Sequence, residues 1–163
     1  MFPPVSFRIQ TQWSFTAQIA DVADILGAPE DFPRWWPEVY LAVKTAERGD
    51  ARGIGQTVDV HSKGWLPYHL HWQGKLVENH MPDAWVIEAT GDLVGRGVWR
   101  LEQHGPIALV SYDWQVVSDR LLFRMLAPLL RRVMVSNHNW AIAKGALGLR
   151  AELARRSSQA VRG

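Results

Sequence analysis

The sequence predicts one α+β domain over residues 1–163, in which a curved antiparallel sheet of about seven strands wraps around a long C-terminal helix. Three observations favour this fold. Between residues 39 and 117, apolar and polar residues alternate in short runs separated by turns, as in β-strands. From Leu121 the apolar spacing becomes helical and continues to about Arg156. No repeat or linker divides the chain.

The N-terminal region predicts one strand followed by two short helices. Residues 6–15 alternate and predict the first strand, and residues 19–26 place their apolar side chains on one helical face that ends before Gly27. A second helical turn over 30–36 must end at Pro37, because proline disfavours helical backbone in the residue before it.

Six more strands are predicted over 39–47, 56–63, 68–79, 84–91, 95–104 and 107–117. Their short connections favour neighbouring antiparallel strands, and a helix with one apolar face must pack across such a sheet. Pro128 either starts the main C-terminal helix or kinks it.

Composition excludes several classes of protein. The chain has no Cys, which excludes thiolate catalysis and Cys-ligated metal centres. No apolar run approaches the ~20 residues that span a bilayer. Residues 1–4 are neither basic nor a long apolar run, so we expect no signal peptide and a soluble, cytoplasmic protein.

Charge is divided unevenly along the chain. Residues 1–119 carry 9 basic and 15 acidic side chains, whereas residues 120–163 carry 9 basic side chains and one acid, Glu152. We favour a basic helix that packs on an acidic body and predict no nucleic-acid partner. A transient membrane or protein contact through the basic C-terminal helix stays open as an alternative.

Four segments resemble the SRPBCC (START-like, helix-grip) superfamily, specifically its polyketide cyclase/dehydrase-like branch: Asp31–Pro37, Gly64–Tyr68, Gly91–Trp99 and Asn137–Trp140. They occur in family order, and the resemblance spans nearly the whole chain. It implies a helix-grip fold. Because this superfamily includes carriers, binders and enzymes, the resemblance alone does not choose among those activities.

The nine tryptophans indicate what the concave face of the sheet contains. Strand alternation places an aromatic set on one face, and helical spacing adds residues of the C-terminal helix. We predict a ligand site formed by Trp36, Tyr68, Trp72, Trp85, Trp99, Tyr112, Trp114, Asn137, Trp140 and Lys144. The alternative is that these aromatic side chains fill an ordinary core.

The C-terminal helix contains residues that interrupt its apolar stripe. The stripe predicted to face the sheet runs through Val133, Asn137, Trp140, Ala141, Lys144, Gly148 and Ala151. Asn137 is expected to bond a strand backbone, Lys144 to reach solvent with its ammonium group, and His138 to lie off this stripe. Glycine costs about 1 kcal/mol within a helix, so a need for space is expected at Gly145 and Gly148.

Two adjacent indoles, those of Trp35 and Trp36, follow the short helices. We expect that both cannot point into one core and that at least one is partly exposed.

Signals for metal or catalysis are weak. His69 and His71 share a strand face beside Asp59 or His61, but they point away from the aromatic face, so we predict no metal and no cofactor. Tyr68 or Tyr112 with Lys144 could act as an acid/base pair, but no spacing requires it.

The sequence therefore favours binding of a hydrophobic small molecule, such as a lipid, quinone or polyketide, between the sheet and the C-terminal helix. The first alternative is a cyclase/dehydrase-type enzyme that uses the same cavity. The second is a partner-binding or membrane-delivery module.

Overall fold

The structure is a computed structural model that describes residues 5–66, 69–118 and 127–163. Seven antiparallel strands form one sheet in the order β1-β7-β6-β5-β4-β3-β2. The strands are β1 (Val5–Thr16), β2 (Tyr40–Glu47), β3 (Thr57–Lys63), β4 (His69–His80), β5 (Ala84–Gly91), β6 (Val94–His104) and β7 (Ile107–Ser118). Two short helices, α1 (Ile19–Leu26) and α2 (Phe32–Trp35), follow β1 and flank a 3-10 turn (Pro29–Asp31). The C-terminal helix is α3 (Ala127–Arg162).

These bounds confirm the predicted strands to within one residue at each end, and α1 has the predicted bounds. Helix α3 continues six residues past the predicted end at Arg156. Pro128 lies in the first turn of α3 that the structure describes. The predicted helical pattern between Leu121 and residue 126 falls outside the described residues. No helix in the described ranges is both long enough and apolar enough to cross a membrane.

The strand register confirms which residues share the concave face. Trp85 lies opposite Trp99, and Trp99 lies opposite Tyr112. Because side chains alternate between faces, one such pairing fixes the face of every unbulged residue on those strands. The aromatic side chains of β5, β6 and β7 therefore lie side by side beneath α3.

The main hydrophobic core lies at one end of the sheet. Its fully buried members include Val22 and Ile25 from α1 and Leu149 from α3. Trp13 and Phe15 of β1 join the same core. The second half of α3 is thus held by side chains from both short helices and the first strand.

The expectation that Trp35 or Trp36 is exposed was wrong. Only 6% of Trp35 and 4% of Trp36 is accessible to solvent. The two indoles stack with ring centroids 5.5 Å apart, and Trp36 Nε1 donates a hydrogen bond to the Ala141 carbonyl at 3.0 Å. Stacking lets both rings enter one core, because a single stack needs little more depth than one ring.

The need for space at the two helix glycines is confirmed. A Cβ atom on Gly145 would collide with the Trp36 indole, and a Cβ atom on Gly148 would collide with the Trp35 carbonyl oxygen. We call the surface formed by Gly145 and Gly148 the glycine face of α3. It lets the helix approach α2 more closely than any side chain would permit.

A buried carboxylate fixes α3 one turn beyond the glycine face. Glu152 has 2% of its side chain exposed and accepts two hydrogen bonds from Arg34 of α2, both at 2.8 Å. Arg155 and Arg156, one turn farther along α3, bond the same carboxylate. These guanidinium groups, Arg34 above all, hold the pKa of Glu152 well below its usual range.

Replacing Glu152 by Gln is expected to lower the free energy of unfolding by about 2–3 kcal/mol. The substitution removes the charge that three arginines share, although their partial exposure lets water compensate some of the loss. The matched control is Asp113→Asn, which weakens the bidentate pair with the more exposed Arg8 and should cost no more than about 1 kcal/mol. Urea denaturation at pH 7 measures both; equal losses would contradict the clamping role of Glu152.

Replacing Gly148 by Ala is expected to destabilise the protein by about 1–3 kcal/mol, because the Trp35 carbonyl is backbone and cannot rotate away. Helix propensity alone predicts the opposite sign, a gain of about 1 kcal/mol. The exposed Ala143 calibrates that propensity on the same helix, and Ala143→Gly should cost about 1 kcal/mol. A Gly148→Ala variant more stable than wild type would show that α3 is not held against α2.

Candidate ligand-binding cavity

A cavity of about 250 Å³ lies between the concave face of the sheet and the first half of α3. Of the predicted site residues, seven line it: Trp36, Trp72, Trp85, Trp99, Tyr112, Trp114 and Asn137. The structure thus brings together Trp36, which directly follows α2, and residues from four strands and α3. Tyr68, also predicted, lies outside the described residues.

One side of the cavity is a continuous series of rings that we call the aromatic row: Trp85, Trp99, Tyr112 and Trp114. The centroid separations along the row are 5.8 Å, 4.1 Å and 5.8 Å, and successive rings are tilted by 18°, 25° and 18°. Gly97 makes room for the row, because a Cβ atom there would press on the Tyr112 hydroxyl and the Trp114 ring.

A second group of aromatic side chains faces the row from the N-terminal part of the chain. Tyr40 of β2 packs edge to face against Phe32 at 5.0 Å and against Trp36 at 5.1 Å. Sequence reasoning did not assign Tyr40 or Phe32 to the site, although both line the cavity. Register irregularities in β2, between Tyr40 and Ala42 and between Thr45 and Glu47, interrupt the alternation that would have indicated its inward face.

Two predicted site residues do not line the cavity. Trp140 packs against the main hydrophobic core, and the Lys144 ammonium lies 6.0 Å from the centroid of the Trp140 ring. At this distance the pair forms a cation–π contact, with the alkyl stem of Lys144 partly buried. Neither residue is brought to the aromatic row.

Two polar side chains in the cavity are already engaged by the protein. Asn137 Oδ1 accepts a hydrogen bond from the backbone N–H of Trp65 at 2.9 Å, close to the backbone role predicted for it. Ser62 Oγ accepts a hydrogen bond from Trp72 Nε1 at 3.0 Å. Both bonds fix cavity-lining residues to the β3 end of the sheet.

Two phenols in the cavity have a different environment. Burial raises the pKa of Tyr40 above its usual value near 10, and burial together with the neighbouring Tyr40 raises that of Tyr112 well above it. Both side chains therefore carry a protonated hydroxyl at physiological pH. Among the described residues, neither hydroxyl has a hydrogen-bond partner in the structure.

His138 lines the cavity, contrary to the expectation that it lies off the inner stripe. It is partly buried, and its Nε2 lies 3.5 Å from Thr11 Oγ1. Burial lowers the pKa of His138 from 6.5 to about 4, so the imidazole is neutral at pH 7. The inner face of α3 includes Met134, His138 and Ala141 and continues to the glycine face.

The remaining histidine cluster lies on the convex face, as the alternation predicted. His61 Nε2 is 2.8 Å from His69 Nδ1, and the rings of His61 and His71 stack at 4.3 Å. Within the ranges that the structure describes, no group of three or more His, Cys, Asp or Glu side chains is arranged to hold a metal ion.

Known structures share this architecture over most of the chain. The ZhuI aromatase/cyclase from Streptomyces sp. R1128 matches with a TM-score of 0.76 at 11% identity, covering 94% of this chain and 96% of that one. A START superfamily protein from Mycobacterium smegmatis matches with a TM-score of 0.69 at 14% identity, covering 90% and 98%. Norcoclaurine synthase from Thalictrum flavum matches with a TM-score of 0.60 at 16% identity, covering 94% and 99%.

The chain has the START-like helix-grip fold. This confirms the fold that the sequence predicted. No protein-family model and no curated protein matches the sequence. At these identities the helix-grip likeness concerns the fold, so the function must be argued from the cavity.

The pH dependence of stability tests the burial of His138. Between pH 6.5 and about 4 the unfolded chain takes up a proton that the folded imidazole does not, so acidification through this window lowers the free energy of unfolding. The contribution is at most about 3 kcal/mol. We expect His138→Gln to remove it and flatten the urea-denaturation profile.

The exposed His80 provides the control, since His80→Gln should leave the profile of the wild-type protein unchanged. Carboxylates also titrate in this range, so the informative quantity is the difference between wild type and variant. Superimposable profiles for His138→Gln and wild type would place His138 in water.

Proposed function

We propose that the protein binds a hydrophobic small molecule, of the lipid, quinone or polyketide kind, in the cavity between the sheet and α3. The observation that carries this proposal is the nature of the lining. The aromatic row forms one side, and no carboxylate lies among the described lining residues. Such a surface favours an apolar ligand, and Lys63 is the one cationic side chain among the described lining residues.

The cavity is large enough for a molecule of more than one ring. Engineered apolar cavities of about 150 Å³ bind benzene. The cavity here, at about 250 Å³, exceeds that size. The proposal includes ligand contact by the seven predicted site residues that line the cavity and by Tyr68. Trp140 and Lys144 do not line it and are not part of the proposal.

A cyclase/dehydrase-type enzyme that uses the same cavity is the second candidate. It is supported by the fold shared with an aromatase/cyclase and with norcoclaurine synthase. General acids and bases work best when their pKa lies near the working pH. With a pKa of about 4, His138 is a weak base, and raised pKa values make Tyr40 and Tyr112 weak acids. Binding without catalysis therefore fits the lining better.

Filling the cavity tests the proposal. We expect the neutral probe N-phenyl-1-naphthylamine to bind wild type with a stoichiometry near one. Ile87→Trp should weaken this binding at least tenfold, because Ile87 lines the cavity. Its stability should change by less than about 1 kcal/mol, since the larger ring enters open space. Probe fluorescence and urea denaturation measure the two quantities.

The matched control is Ile25→Trp, which places the same ring in the fully packed core. The larger ring does not fit in that core, so the free energy of unfolding should fall by at least about 1–3 kcal/mol. If both variants lose stability equally and wild type binds no probe, the aromatic side chains fill a core and the proposal is wrong.

A further inference from the structure

The hydroxyls of Tyr40 and Tyr112 indicate which chemical group the ligand carries. Tyr40 belongs to β2 and Tyr112 to β7, strands that lie five places apart in the sheet order. Both residues line the cavity, so the curvature of the sheet brings distant strands around one space.

Both rings are held in place by their neighbours. The Tyr112 ring lies between those of Trp99 and Trp114, with centroid separations of 4.1 Å and 5.8 Å. The Tyr40 ring is held edge to face by Phe32 and Trp36. Neither ring can therefore reorient without moving other aromatic side chains.

The bonding state of these hydroxyls differs from that of the other polar groups in the cavity. Ser62 and Asn137 each have a protein partner, whereas the hydroxyls of Tyr40 and Tyr112 have none among the described residues. A hydroxyl in an apolar cavity gains from an acceptor, and a ligand that offers one supplies a hydrogen bond that the described protein groups do not. The phenols stay protonated, so they act toward such a ligand as donors.

The charge of the cavity narrows the chemistry of the acceptor. The rings of the aromatic row already stack on one another, so the row gives the ligand an apolar surface without selecting its shape. An anionic ligand would need a buried cation. Among the described lining residues, Lys63 is only partly buried and His138 is neutral at pH 7. A neutral carbonyl oxygen needs no counter-charge, and its two lone pairs can accept two donors.

We propose that the ligand is an apolar, neutral ketone or quinone whose carbonyl oxygen accepts hydrogen bonds from Tyr40 and Tyr112. This inference rests on the proposed binding function and deepens it, because it selects one chemical class among hydrophobic molecules. Tyr40 and Tyr112 determine specificity for oxygen, while the aromatic row supplies apolar contact.

The test compares 9-fluorenone with fluorene, which share a flat three-ring skeleton and differ in the carbonyl group. Titration by tryptophan quenching gives the dissociation constant of each for wild type and for Tyr40→Phe/Tyr112→Phe. Two hydrogen bonds to a neutral acceptor are worth about tenfold in affinity. We expect the preference for 9-fluorenone over fluorene to fall by about tenfold in the double variant, while fluorene affinity stays unchanged.

Infrared spectroscopy provides an independent readout. The carbonyl stretch of 9-fluorenone bound to wild type should lie at lower frequency than in hydrocarbon solvent, because hydrogen bonding weakens the double bond. It should shift back toward the hydrocarbon value in the double variant. Ser62→Ala is the matched control, since Ser62 already accepts the Trp72 indole N–H and its removal should affect both compounds alike.

The outcomes separate this inference from the proposed function. A preference for 9-fluorenone that survives in the double variant, or is absent in wild type, overturns the ligand class. If N-phenyl-1-naphthylamine binds but neither 9-fluorenone nor fluorene does, the ligand class is again wrong and the binding function stands. If none of the three compounds binds, both proposals are wrong. A large loss of stability in the double variant would show that the hydroxyls have structural partners, which also overturns the inference.

Discussion

The arrangement of the molecule depends on the close contact between the stacked indoles of Trp35 and Trp36 and the glycine face of α3. Any side chain at Gly145 or Gly148 would occupy space that the indole of Trp36 and the Trp35 backbone already fill. The contact therefore sets how closely the second half of the helix approaches α2. The charge-assisted hydrogen bonds between Arg34 and the buried carboxylate of Glu152 then prevent α3 from sliding along α2.

This contact at one end explains the cavity at the other. The second half of α3 packs on the short helices, where Leu149 and Ile25 are fully buried. The first half lies above the aromatic row, whose large rings are held apart from it by their own stacking. With α3 fixed at its second half, a space of about 250 Å³ remains between its first half and the concave face of the sheet.

The sheet could be predicted from sequence almost completely, and the reason is its period. Side chains alternate with a period of two, so once a strand is recognised each residue has only two faces to choose from. The inward positions of Trp85, Trp99 and Tyr112 followed directly. Tyr40 was missed because β2 carries irregularities in its pairing, near residues 40–42 and 45–47, that interrupt this alternation.

The inner face of α3 was harder to predict, because successive helical residues differ by only about 100° and an error of one position changes the surroundings of every side chain. The predicted stripe included Trp140 and Lys144, which pack against the core and each other. The observed stripe includes His138 and Glu152. A charged residue there depends on Arg34, 118 positions earlier in the chain, and local spacing contains no information about such a partner.

The polar groups of the cavity bear on the choice between recognition and catalysis. His138, Tyr40 and Tyr112 all have pKa values displaced in the direction that keeps them uncharged at pH 7. Burial is the main cause of all three displacements. Proton transfer from or to such groups is costly, whereas hydrogen bonding to them is strengthened in surroundings of low polarity. A site with these groups therefore suits the recognition of a hydrogen-bond acceptor, as proposed above, better than it suits acid–base catalysis. Under that proposal, specificity has the same physical origin as the displaced pKa values, which is the apolar enclosure around the polar groups.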